Sequence, residues 1–100
     1  MLANNYSLNT LRIIKKASKY VFGDTLLEKI RTNKIFLVII ASDAGKASQK
    51  KIIDKCNSFS VSYIIDFDKD TLANIFSKNI SSIGIVDKNL ADKFLENYQK

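Results

Sequence analysis

The chain has 100 residues, 46% of them apolar, which suits one domain with a real buried core and argues against disorder. Sixteen basic and ten acidic residues leave a formal net charge of +6, and there is no histidine, no proline and a single cysteine. Those absences exclude a histidine-based catalytic triad, a His-ligated metal, an intramolecular disulfide, a Cys-rich zinc site and a CxxC redox pair, so neither enzymatic activity nor a metal or cofactor is expected.

Residues 8–17 read as a first helix. Leu8, Leu11, Ile14 and Ala17 recur at helical spacing, Ser7 is a suitable N-cap, and Arg12, Lys15, Lys16 and Lys19 form a cationic stripe on the flank. No acidic residue in the segment neutralises that stripe, which makes it a candidate for phosphate contact. The next stretch, residues 20–25, reads as a connection in which Gly23 supplies backbone freedom and Asp24 or Thr25 caps the helix that follows. That second helix, residues 25–32, buries Leu26, Leu27 and Ile30 and ends near Asn33, and its first-turn N–H groups make an anion-binding end.

Residues 35–41 form a continuous apolar run, read as a strand buried on both faces. This is the longest such run and is far too short to cross a bilayer, and the first residues lack a charged stretch followed by an apolar one, so a cytoplasmic protein without membrane association is expected. Residues 43–48 have the Gly45-Lys46 pair of a phosphate loop, but the upstream glycine is missing and three glycines in all cannot spell GxxxxGK[ST] or GxGxxG. A third helix turns Ile52, Ile53, Cys56 and Phe59 inward, making Cys56 a core thiol with no base beside it. Residues 61–65 are the next strand. Asp68 caps a short helix carrying Leu72, Ile75 and Phe76, and Asp66 and Asp70 beside it read as solvated loop charge, since the spacing lacks the glycine and distal glutamate of a calcium loop. Residues 81–86 are the last strand, and Asp87 caps a final helix with Leu90, Ala91, Phe94, Leu95 and Tyr98 inward.

The order α-α-β-α-β-α-β-α, without internal repeat or linker, implies a three-layer α/β/α sandwich over residues 1–100. Charge is uneven along it. Residues 1–51 hold ten basic and three acidic side chains, net +7, against six and seven in residues 52–100, net −1. A basic half favours a polyanionic partner through counterion release, although a general solubility bias explains the excess equally well.

Four segments, in order and in register, resemble the bacterial YlxQ-type members of the kink-turn RNA-binding superfamily of ribosomal proteins L-seven-Ae and L-thirty-e. They are residues 8–19 with Gly23 opening a helix, the run Leu37-Val38-Ile39-Ile40-Ala41-Ser42-Asp43-Ala44, residues 54–61 around Lys55-Cys56, and Gly84-Ile85-Val86-Asp87 followed by Leu90-Ala91-Asp92-Lys93. The resemblance implies an α/β/α sandwich with a small mixed sheet that clamps a kink-turn, an RNA bend with sheared G·A pairs. It implies two contact surfaces: the start of the second helix, here Gly23, Asp24, Thr25, Leu26 and Lys29, and the loop before the last strand, here Ser77, Lys78, Asn79 and Ile80. Lys15, Lys16 and Lys19 would neutralise flanking phosphates.

Family glycines are replaced by Arg12, Ser18, Asn33 and Ser77; Arg12 and Ser77 fit if the local φ is negative, and Ser18 and Asn33 would tighten or shift their turns. The second helix is one residue shorter than in relatives, which puts the family's base-contacting lysine on Lys29 or on Glu28, and Asp24-Thr25 or Thr25-Leu26 stands where strong binders have Asn-Glu. The expectation is a small, monomeric, non-catalytic protein that binds structured RNA, ribosomal RNA or another kink-turn RNA, with the ribosome as a place of action. The competing expectation is a degenerate ribosome-associated or protein-interaction module that keeps the fold without kink-turn recognition.

Overall fold

In the computed structural model, which describes residues 5–98 with side chains from Ser7 onward, the elements run α1 (Asn5–Lys16), β1 (Tyr20–Val21), α2 (Gly23–Arg31), β2 (Leu37–Ile40), α3 (Lys46–Ser58), β3 (Tyr63–Ile65), α4 (Lys69–Phe76), β4 (Ser82–Ile85) and α5 (Lys88–Tyr98). The strands form one mixed sheet in the order β1-β4-β2-β3, with β4 antiparallel to both β1 and β2 and with β2 parallel to β3. α1 packs on α4 and α5, and α2 packs on α3 and β4, so the sheet lies between two helical layers. The expected α/β/α sandwich with a small mixed sheet is what the chain forms.

β2 and β4 are the two central strands and are buried throughout; β2 is apolar without a break, while β4 sets Ser82 and Gly84 alternately with Ile83 and Ile85. Phe36, inside the same apolar run, is instead 43% exposed, because the strand proper begins only at Leu37. β1 was expected to be a connection. Its two residues pair with Ile85 and Gly84 of β4, and a strand this short owes its existence to the edge it meets rather than to any pattern of its own. The inward stripe of α1 is Ser7, Thr10, Leu11 and Ile14, all buried. Ser7 therefore sits inside the helix and is not its N-cap, while Ala17 lies beyond the helix and is exposed. The small hydroxyls are tolerated because no buried side-chain polar atom among the described residues lacks a hydrogen-bond partner.

The acidic residues of the second half are mostly structural. Asp68 Oδ1 accepts from Thr71 N at 2.8 Å and caps α4, and Asp87 Oδ1 accepts from Leu90 N at 3.0 Å at the start of α5, both as expected. The Thr71 hydrogen bonds hold the Asp68 carboxyl below its ordinary range. Asp66 is not a solvated loop charge. It accepts from Phe67 N and from the Tyr98 hydroxyl, each at 2.6 Å, and so ties the end of β3 to α5. Burial, and then the bond to Asp66, push Tyr98 up to about 12. Cys56 is fully buried in α3 with its thiol raised to about 11 by desolvation, the inert core thiol expected of that position.

Of the four residues that the resemblance sets at glycine positions, three hold left-handed backbone: Ser18 at φ 56°, Asn33 at 59° and Ser77 at 56°. The condition on which Ser77 was expected to fit, a negative φ, is not met: it terminates α4 in the αL conformation, as a glycine would. Arg12 lies within α1. An L-residue pays about 1–2 kcal/mol in αL, of which glycine gives back part through its freer unfolded chain. Ser77→Gly is therefore expected to stabilise the fold by about 0.5–1 kcal/mol, raising the midpoint of a thermal unfolding scan by roughly 4 °C. A lowered midpoint would show that the serine side chain contributes a contact worth more than the strain.

Candidate nucleic-acid interface

The chain leaves β1 through Phe22, whose extended backbone (φ −152°, ψ 172°) makes it the N-cap residue of α2 although its side chain caps nothing. Gly23 follows at φ +65°, with open space where a Cβ would stand. The helix thus starts two residues before expected. Asp24 and Thr25 are members of its first turn rather than caps, and the first-turn N–H groups have no intrahelical carbonyl to bond. Leu26 and Ile30, buried one turn apart, fix the rotation of α2 on the sheet.

The second surface is set by α4. Its αL stop at Ser77 turns the chain back, Ile80 is buried as an anchor, and Ala41 N donates to Ser81 O at 2.8 Å, closing the loop onto the end of β2. The two surfaces meet in a cleft of about 260 Å³. Phe22, Gly23, Asp24, Leu26 and Leu27 form one wall; Asn79, Ile80, Ser81 and Ser82 form another; Ser48, Lys51 and Ile52 of α3 close the third side. At the rim, Lys78 Nζ lies 5.9 Å from the centroid of the Phe22 ring, and that ring also stacks on Tyr20 at 6.3 Å and 20°.

Of the residues expected at the site, Gly23, Asp24, Leu26, Asn79 and Ile80 come together in the cleft and Lys78 stands at its rim. Thr25 and Lys29 do not line it. Glu28 follows Asp24 by one turn and shares its face of α2, whereas Lys29 follows Thr25 on the side away from Leu27. Glu28 is exposed and, like Lys29, is not among the residues that line the cleft. Lys15, Lys16 and Lys19 are all exposed, but they precede β1 while the cleft follows it. None of the three lines the cleft.

Phe22, Ser48 and Lys51 belong to the cleft and were not expected there. Phe22 carried a signal, an aromatic side chain immediately before a glycine that opens a helix. Ser48 and Lys51 had none, because only the packing of α2 on α3 brings them in. Among the described residues no three His, Cys, Asp or Glu side chains are grouped to hold a metal, and no helix is long and apolar enough to cross a membrane.

A two-layered helical covering of a four-stranded mixed sheet, with a cleft between a helix start and the loop entering a central strand, defines the class. The chain belongs to the Ribosomal protein L7Ae/L30e/S12e/Gadd45 family, whose sequence profile matches residues 7–95. It is 29% identical over 91 residues to a protein of Enterococcus faecium named RNA-binding protein YlxQ, covering 90% of this chain and 88% of that one. A protein of the same name from Bacillus subtilis (strain 168) is 29% identical over 87 residues, covering 85% and 87%. Among solved structures, a protein of unknown function from Bacillus halodurans C superposes with a TM-score of 0.89 at 23% identity, covering 97% of this chain and all of the other. The Giardia lamblia 15.5kD RNA binding protein superposes with a TM-score of 0.76 at 20% identity, covering 98% and 89%. At these identities the structural likeness is one of fold.

Proposed function

We propose that this chain is a monomeric, non-catalytic RNA-binding protein whose cleft receives a sharply bent, kink-turn-like RNA, ribosomal RNA included. The observation that carries the reading is the meeting of the α2 start with the Lys78-Asn79-Ile80 loop in one cleft. Two relatives named for RNA binding support it. The chemistry is suitable: the α2 start presents N–H donors to a phosphate, Phe22 presents a ring face to an unstacked base, and Lys51 and Lys78 bring cations to either side. Contacts of this kind to backbone and bulge read shape rather than sequence. Lys15, Lys16 and Lys19 would meet phosphates farther along the same RNA.

A kink-turn hairpin titrated at moderate salt is expected to bind at least about tenfold tighter than a straight duplex of equal length, a difference of about 1.4 kcal/mol. Equal affinities would reduce the activity to general polyanion binding. A second reading, a protein-interaction module, draws on the carboxylates of Asp24 and Glu28 sharing one face of α2. Capture of protein partners that survives nuclease treatment, together with equal RNA affinities, would favour it.

A further inference from the structure

Lys51 lines a second groove besides the cleft, a shallow one of about 310 Å³ along the outer face of α3, shared with Asp54, Lys55 and Ser58. These four residues follow i, i+3, i+4, i+7 and so form one stripe. The acid in it is already engaged: Asp54 pairs with Lys50 at 3.0 Å. Among the described residues neither Lys51 nor Lys55 forms an ion pair, so the groove is net cationic and begins where the cleft ends. Lys51 and Lys55 are one helical turn apart, about 6 Å, close to the step between successive phosphates of an extended strand.

We infer that single-stranded RNA leaving the cleft continues along α3, with Lys51 and Lys55 meeting two consecutive phosphates. The inference rests on the reading of the cleft as an RNA site. Protein interfaces are anchored by buried aromatic or apolar side chains, and the exposed large hydrophobic residues, Ile13, Phe22, Phe36 and Ile65, all lie off α3. The stripe offers charge and hydroxyl alone, which fits a phosphate backbone.

Three RNAs test this: a blunt kink-turn hairpin and the same hairpin with a tail of about six uridines at its 5′ or its 3′ end, a length within the range one small domain covers. One tail is expected to tighten binding to the unaltered protein by about fivefold at low salt, and to steepen the log–log salt dependence by about 0.7, the contribution of the one further phosphate at Lys55, since Lys51 already serves the cleft. In Lys55→Ala the blunt hairpin binds as before, while the tail's gain and its added slope of about 0.7 are lost. Lys93→Ala, on α5 in the other helical layer, keeps the whole gain. The inference is overturned if neither tail tightens binding, or if Lys55→Ala keeps the full effect. Failure of the blunt hairpin to outbind a straight duplex is a separate result, which removes the reading of the cleft and this inference with it.

Discussion

Phe22→Ala is expected to weaken kink-turn RNA binding by about 1–3 kcal/mol, roughly 5- to 150-fold, the range measured for loss of one base-stacking aromatic. The ring is 37% exposed and lines the cleft. Its backbone is held from both sides, by β1 immediately before it and by α2, which starts at the next residue. Stacking on Tyr20 fixes the ring further, and Tyr20 is itself packed on Phe76 at 4.6 Å. A base arriving at the cleft thus meets an aromatic surface whose ordering was completed on folding. Lys78 sits over the ring in the free protein; a base stacking there displaces the ammonium, which is then placed to meet a phosphate of the same nucleotide. Because the ring is partly exposed, thermal stability should fall by only a few degrees, which separates lost binding from lost folding. Phe22→Tyr should bind nearly as the parent and Phe22→Leu should fall between. The measurement is fluorescence anisotropy with each variant, alongside a thermal scan. Parental affinity in Phe22→Ala would mean that no base stacks at the cleft.

The elements most legible in the sequence are those whose own side chains set their burial. α3, α4 and α5 carry apolar residues at helical spacing, with Ile52 and Cys56, Leu72 and Phe76, Ala91 and Phe94 buried as the period requires. Asp68 and Asp87 mark their helix starts by chemistry that depends on three residues only. The features that escaped are those decided by a neighbour. β1 exists because β4 offers an edge. The start of α1 was misplaced because Ser7 and Thr10 occupy core positions that an apolar count assigns to solvent. Asp66 looked like loop charge because Tyr98, its partner, is 32 residues away.

The site divides along the same line. The α2 start and the Lys78-Asn79-Ile80 loop were legible through the resemblance, and each is local in sequence. Their α3 wall was not, since Ser48 and Lys51 reach the cleft only through the packing of α2 against α3. The place of Lys29 was open to a local argument: with Leu26 and Ile30 inward, Lys29 lies one position from Ile30 and on the side opposite Leu27, away from the cleft. Lys15, Lys16 and Lys19 are close to Gly23 in sequence, yet β1 intervenes and none of the three lines the cleft.

Gly84→Ala is expected to cost about 2 kcal/mol of stability, within the range for overpacking a filled core, and to lower the thermal midpoint by on the order of 10 °C. Gly84 lies in the central strand β4, between Val21 of β1 and Val38 of β2. A Cβ added there would stand 2.5 Å from Leu26 Cδ1 and 2.8 Å from Ile35 Cδ1. Both contacts are with terminal methyl groups, which on a surface would simply swing aside. Here Leu26 is 1% and Ile35 6% exposed, so both methyls are packed and part of the strain passes to α2 through Leu26. Since Leu26 also lines the cleft, RNA affinity should fall together with stability. Ile35→Val removes the Cδ1 that meets the new methyl, at its own cost of about 0.5–1.5 kcal/mol. The double variant Gly84→Ala with Ile35→Val should therefore be more stable than the sum of the single changes, by about 0.5–1 kcal/mol in a double-mutant cycle. Additive energies would locate the cost of Gly84→Ala at Leu26 or in the strand backbone rather than at Ile35, and an unchanged midpoint would show that α2 yields without loss.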